Sequence, residues 1–288
     1  MLASALFMGV QGAAVKALGE SVDSLQVTFV RCAVGLILVV PMVRNQLASI
    51  LRPSRLRLHL GRVTAGLLSM ACGFYAFAHM PLAEATALTF TMPLFMLMLA
   101  TVTLGERVGW RRACAAVVGF AGVLVMLRPG AVPVAPAALL ALLSAFFHAW
   151  SGIFIKKLSG SESTGMIMFY FAAVGSVLFA LPAASVWVVP DLIEWMLLGA
   201  VAILGVISQL AFIEAARAAE MSAIVPIDYS RVIFAGLIGY LVWSELPDAW
   251  AIAGAALIGA STCFISFREM QLARTAQRGG ADAPLRGG

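Results

Sequence analysis

"SALFMGVQGAAVKAL" (residues 4–18) returns later in the chain as "SAFFHAWSGIFIKKL" (residues 144–158). At a constant offset of 140, Ser4, Ala5, Phe7, Gly12, Lys16 and Leu18 coincide with Ser144, Ala145, Phe147, Gly152, Lys156 and Leu158. The same offset pairs Phe29, Ala33, Val34 and Gly35 with Phe169, Ala173, Val174 and Gly175. It also pairs Trp110, Ala115, Ala116 and Gly119 with Trp250, Ala255, Ala256 and Gly259. Between these blocks Ala83, Glu84 and Ala87 match Ala219, Glu220 and Ala223 at offset 136, which implies a small insertion or deletion. Matches between small residues are cheap in so biased a sequence. Several blocks that hold one offset are not, so the chain is one unit written twice.

The unit is apolar. Of 288 residues 62% are hydrophobic and 11% charged, whereas a soluble domain is about half apolar and about a quarter charged. A membrane helix needs roughly 20 apolar residues at 1.5 Å rise. By that measure spans fall near 2–18, 25–43, 62–79, 82–104 and 111–127, then near 136–155, 164–184, 194–214, 220–243 and 249–267. Arg44, Arg52, Arg55, Arg57 and Arg62 are expected in the loop after the second span, with Arg107, Arg111, Arg112, Lys156, Lys157 and Arg217 on the same side. The opposite loops carry Lys16 and Arg128 against Glu20, Asp23, Glu84, Asp191, Glu194, Glu245 and Asp248. Basic loops stay in the cytoplasm, so both termini are expected there.

Five spans is an odd number, so the two copies enter the membrane from opposite sides. The expected fold is an all-α membrane protein of ten transmembrane helices arranged as two inverted five-helix repeats. The repeats cover residues 1–130 and 131–270, and 271–288 form a short disordered cytoplasmic tail. Inverted repeats are the architecture of secondary transporters, in which one bundle rocks against the other around a midplane site. The competing reading is a non-transporting membrane scaffold or receptor. An enzyme is disfavoured, because the sequence has no HExxH, no GxSxG and no pair of acids within one span. No Walker-type GxxxxGK[ST] occurs either. The four cysteines lie in apolar stretches without metal-ligand spacing, so no metal or cofactor is expected. Basic residues are spread through loops rather than gathered in a patch, which argues against nucleic acid. The expected partners are membrane lipid and a small-molecule substrate, in a monomer or homodimer.

Charges inside spans mark candidate sites, since each costs about 2.5–3.5 kcal/mol on insertion scales and must face protein or water. In "PIDYSRVIFAG" (226–236) Asp228 and Arg231 lie three apart, on one helix face. Pro226 removes a backbone bond just before them, as cavity walls often require. In one reading Arg231 holds a substrate carboxylate or phosphate, Tyr229 stacks or hydrogen-bonds, and Asp228 binds an amino or sulfonium group or takes a proton that couples transport. In the other, Asp228 neutralises Arg231 or pairs with Arg31 as structural glue. Thr89 and Pro93 in the fourth span fit a cavity wall. His148 and Trp150 in the sixth span, Gln11 on its repeat-mate, and Tyr75 beside His79 at the end of the third are further contact candidates. Glu106 and Glu245 read as helix-boundary residues.

Three stretches carry a family resemblance. They are "VTFVRCAVG" in the second span, "AEATALTFTMPLFMLMLATVTLGERVGWRRACAAVVGFAGVLVM" in the fourth and fifth, and "SRVIFAGLIGYLVWSELPDAWAIAGAALI" in the ninth and tenth. The chain resembles the EamA-type carriers of the drug/metabolite transporter superfamily over essentially its full length. "FIKKL" and "IDYSRVIFAGLIGYLVWSELPD" look most like the branch with S-adenosylmethionine and riboflavin uptake carriers. The resemblance implies a multi-pass protein of the bacterial inner membrane. It also implies a central cavity lined mainly by spans 1, 3, 4, 6, 8 and 9, with spans 5 and 10 peripheral. Arg31, in the second span, falls outside that lining set, so a structural or gating role is expected for it. The sequence differs from the family pattern in having almost no residues ahead of the first span.

Overall fold

The computed structural model describes residues 2–44, 55–104, 109–128, 134–218 and 230–281. Eleven helices occur among the described residues. The first half holds α1 (Leu2–Leu18), α2 (Ser24–Val43), α3 (Leu56–His79), α4 (Leu82–Thr89), α5 (Met92–Leu104) and α6 (Trp110–Leu127). The second holds α7 (Pro136–Ser159), α8 (Thr164–Ser185), α9 (Leu192–Ala218), α10 (Ser230–Trp243) and α11 (Ala249–Ala281). No strand is found among the described residues. Six helical stretches are long and apolar enough to cross a membrane, and three shorter apolar ones accompany them.

Four helix starts follow short polar residues that satisfy free N–H groups. The Asp23 carboxylate accepts from Leu25 N at 2.8 Å to open α2. Ser163, its equivalent in the repeat, accepts from Met166 N at 3.3 Å to open α8. Ahead of α9, Glu194 N donates to Asp191 Oδ1 at 2.7 Å and Asp191 N to Glu194 Oε2 at 2.8 Å. This is a reciprocal capping box. Asp248 accepts from Ala251 N to start α11, and its carboxylate also meets Arg128 at 2.6 Å, tying that start to the end of α6.

Three helix boundaries differ from those read from the sequence. The fourth span is two helices, because Pro93 cannot donate to the Thr89 carbonyl. Leu94 N and Phe95 N turn instead to Thr91 O, at 2.9 and 3.1 Å. The Phe90 carbonyl left out of the ladder accepts from Thr262 Oγ1 of α11 at 3.1 Å. The third span begins earlier than its apolar run, so Arg62 belongs to α3 and not to a loop. The last helix continues to Ala281, through part of the stretch expected to be a disordered tail. That extension, "REMQLARTAQR", consists largely of good helix formers and holds no proline.

Packing follows the repeat. Helix α3 lies along α7 and its equivalent α9 along α1, while α2 packs on α8 and α6 on α11, each against its own counterpart. Helix α10 contacts α1, and α4 and α5 contact α7 in the same way. Where α6 crosses α11, a Cβ on Gly254 would lie 2.6 Å from Gly122 O, so the two backbones approach too closely for any side chain there. Small buried residues, among them Ala85, Ala87, Ala137, Ala138 and Ala141, bring α4 and α7 together. Outward-facing Ile37, Val177, Leu181 and Ile233 are 70–82% exposed, an apolar surface that water would not tolerate and lipid does.

Candidate functional site

Between the two halves lies a cavity of about 190 Å³, lined by α1, α2, α3, α4, α7, α8, α9 and α10. Its polar wall on α3 is built from Arg62, Gly66, Ser69 and Gly73, spaced three or four apart and therefore on one face. Helix α7 answers with Ser144, His148, Ser151 and Ile155. Ser69 and Ser144 bind each other's backbone, Oγ to O, at 2.9 and 2.8 Å. Ser151 Oγ donates to Arg62 O at 3.4 Å.

Three arginines enter this space. Arg31 is 7% exposed and donates to Gly205 O at 3.2 Å and Gln209 Oε1 at 3.0 Å. Arg62 is 2% exposed, and its Nε and Nη1 have no hydrogen-bond partner. Both guanidinium groups lie over the ring of Phe171, 5.4 Å (Arg31) and 4.2 Å (Arg62) from its centroid. Phe171 is the repeat equivalent of Arg31, so the pair meets across the boundary between the halves. Arg231 stacks on Phe90 at 4.8 Å and donates to Thr89 Oγ1 at 3.3 Å and Met8 Sδ at 2.9 Å, while its Nε is unpartnered. The break in the fourth span thus has a local result: it turns Thr89 and Phe90 toward Arg231. A buried guanidinium without a counter-charge costs several kcal/mol after relaxation.

Two glycines leave room for these side chains. A Cβ on Gly66 would stand 2.7 Å from Arg62 Nη1 and 2.9 Å from Phe171 Cε2. A Cβ on Gly205 would stand 2.8 Å from both Arg31 Nε and Gln11 Nε2.

Of the residues singled out in the sequence, Gln11, Thr89, His148 and Arg231 come together in the cavity. Gln11 donates from Nε2 to Val201 O at 3.2 Å, and His148 packs 5.7 Å from the Phe212 ring. Arg31 also lines the cavity, contrary to its expected place outside the lining set. Trp150 and Tyr75 do not. Trp150 is two residues from His148, some 200° around α7, and its exposed ring meets Phe146 edge-on at 5.7 Å. Tyr75 faces away from the Gly73 side of α3 for the same reason, stacked on His79 at 4.0 Å. Pro93 acts through the helix break. Pro226, Asp228 and Tyr229 lie outside the described residues. Arg62 also lines the cavity and was not singled out in the sequence, although the stripe Arg62, Gly66, Ser69, Gly73 at helical spacing was there to be read.

At the end of the bundle opposite Lys156, the halves are tied together. Lys16 of α1 forms an ion pair with Glu245, which follows α10, and donates to Met80 O at 2.8 Å. Glu245 Oε2 accepts from Leu82 N at 3.0 Å, capping α4. The two side chains are 11% and 21% exposed, so the pair is poorly hydrated. Glu245 therefore joins α1, α4 and α10 as well as marking a helix boundary. Among the described residues no three of His, Cys, Asp and Glu gather as a metal site would require.

Both halves of the chain match one family, described as the EamA-like transporter family, over residues 1–128 and 135–267. The chain is 35% identical over 262 residues to the pseudopaline exporter CntI of Pseudomonas aeruginosa (strain UCBPP-PA14), covering 90% of this chain and 91% of that protein. It is 30% identical over 254 residues to an S-adenosylmethionine uptake transporter of Rickettsia bellii (strain RML369-C), covering 88% and 87%. A solved crystal structure 20% identical in sequence superposes with a TM-score of 0.65, covering 94% of this chain and 96% of the other, and shares its fold.

Proposed function

The chain belongs to the EamA-like transporter family and is a metabolite transporter of the inner membrane; from that premise we propose that it works by alternating access around the cavity between its two repeats. The observation that carries this reading is a polar, three-arginine chamber lined by both halves, and we take the Lys16–Glu245 pair, which joins the halves, as the tie that closes one end. The proposal takes ten spans, with α4 and α5 forming one, and puts the end bearing Lys156 and Lys157 in the cytoplasm on the basic-loop rule. The tied mouth is then the outer one. Rocking of residues 1–130 against 131–270 would break that tie and expose the cavity to the other side. The substrate is a small polar or amphipathic metabolite, in the range of amino acids, S-adenosylmethionine and riboflavin. The relatives include an exporter and an uptake carrier, so direction is set by features outside their shared fold. Asp228, close in sequence to Arg231, is the candidate for binding a cationic group or for coupling to a proton.

The test is uptake and counterflow of a labelled metabolite panel in proteoliposomes. Wild-type protein should concentrate or exchange at least one compound. Arg231→Ala and Asp228→Asn should each reduce the rate to background while insertion and yield stay normal. Wild-type rates in both variants would remove the ninth span from the site.

A further inference from the structure

The cavity carries a charge imbalance that goes further than the presence of a site. Its described lining includes three guanidinium groups and no carboxylate. Arg31 is held by neutral acceptors, a carbonyl and an amide oxygen. Arg231 is held by a thioether, a hydroxyl and an aromatic face. Arg62 is buried with Nε and Nη1 unpartnered and lines the cavity. Four of the described acids are engaged elsewhere: Glu245 pairs with Lys16, Asp248 with Arg128, Glu162 with His59 at 3.8 Å, and Glu214 accepts from Thr164. Asp228 lies outside the described residues, and as a single charge it could offset at most one of the three.

We propose that the cavity binds a substrate with at least two carboxylates, one held by Arg62 and Arg31 beside Phe171 and a second reaching Arg231. The proposal rests on the reading of this cavity as the transport site. A guanidinium presents planar N–H pairs that match a carboxylate bidentately, and such bonds are about twice as strong as neutral ones. Phe171 keeps both guanidiniums stacked and pre-oriented, so less side-chain freedom is lost when the anion arrives. Gly66 and Gly205 keep the space clear. Ser69, Ser144 and Ser151 supply hydroxyls along the wall between α3 and α7. Arg62 is the anchor and Arg31, fixed by Gly205 and Gln209, its rigid partner. Nothing in the described lining offers comparable recognition to a cation.

The experiment uses the full chain in lipid nanodiscs, with thermal unfolding read against citrate, succinate and the neutral isostere succinamide at constant ionic strength. A ligand of the folded state raises the midpoint as its concentration rises. Citrate and succinate should raise it saturably and succinamide should not. In Arg62→Gln the carboxylate affinity should fall about tenfold or more, and Arg62→Lys should retain part of it. The same Arg62→Gln protein, without ligand, should unfold at or above the wild-type midpoint, because it has lost an unpaired buried charge. A purely structural arginine would show the opposite. No shift with either carboxylate beyond matched chloride, or a shift that Arg62→Gln leaves unchanged, overturns the proposal. Transport is scored separately with labelled citrate, succinate and succinamide in proteoliposomes, beside S-adenosylmethionine and riboflavin. Equal transport of compounds with and without the carboxylate leaves the transporter reading standing and sinks this one. Carboxylate binding that depends on Arg62, in a protein that moves no tested compound, supports this proposal and counts against alternating access through the cavity.

Discussion

Arg31, Arg62 and Arg231 are kept in an apolar bundle by different means, and each arrangement has its own weak point. Arg31 depends on the missing side chain at Gly205. In Gly205→Ala the new methyl meets the far ends of Arg31 and Gln11, which can swing away, and alanine gains about 1 kcal/mol of helix propensity. The expected outcome is a midpoint within about 1 kcal/mol of wild type, with a transport rate lowered several-fold because the guanidinium has been displaced. Unfolding scans and proteoliposome uptake on one preparation check both halves of that statement. At this scale the sequence told part of the story. Arg231 was legible because it stands in an apolar run. Arg62 was not, because it follows other arginines and stands at the very start of the span that counting apolar residues gives, so it was grouped with the loop. For Trp150 and Tyr75 residue type suggested contact, but helix rotation turns both away from this cavity.

Among the elements, the fourth span shows most directly how backbone chemistry places a site. Pro93 breaks the helix, and the Phe90 carbonyl it strands is taken up by Thr262. Thr262→Val removes that donor at almost constant volume and should cost about 1 kcal/mol, read as a lower unfolding midpoint with an unchanged helical signal. A second prediction concerns the end of α10, where Ser244 sits at φ 55° in the left-handed region. When "WSE" (243–245) is aligned with "LGE" (104–106) on the shared glutamate, at offset 139, the matching position is Gly105. Ser244→Gly should therefore stabilise the protein by about 0.5–1 kcal/mol, measurable as a raised midpoint. The existence of these elements was plain from apolar run length. The break at Thr89–Met92 was not placed by run length, because both halves remain apolar and only the hydrogen-bond ladder records the interruption.

On the scale of the whole molecule, the two copies of the sequence repeat pack through exchanged partners, α3 on α7 and α9 on α1, around a shared cavity. In the proposed cycle the tie between Lys16 and Glu245 closes one mouth, and Glu245→Gln isolates its charge, since the amide oxygen can still accept from Leu82 N. Loss of a poorly hydrated ion pair should shift the balance toward the open form by about tenfold. Ser144→Cys in a cysteine-free background would report it, through faster modification by an impermeant maleimide added on that side. An unchanged rate would show that the pair does not gate the cavity. The sequence by itself determined the membrane class, the duplication and the family, because these are written in composition, periodicity and repeated blocks that survive without coordinates. Only the tertiary structure decided that Arg31, Arg62 and Arg231 share one chamber, that Phe171 stacks with two of them and that Glu245 reaches Lys16. Those contacts join residues tens to more than two hundred positions apart, and their partners are set by helix rotation and crossing, which no local pattern encodes.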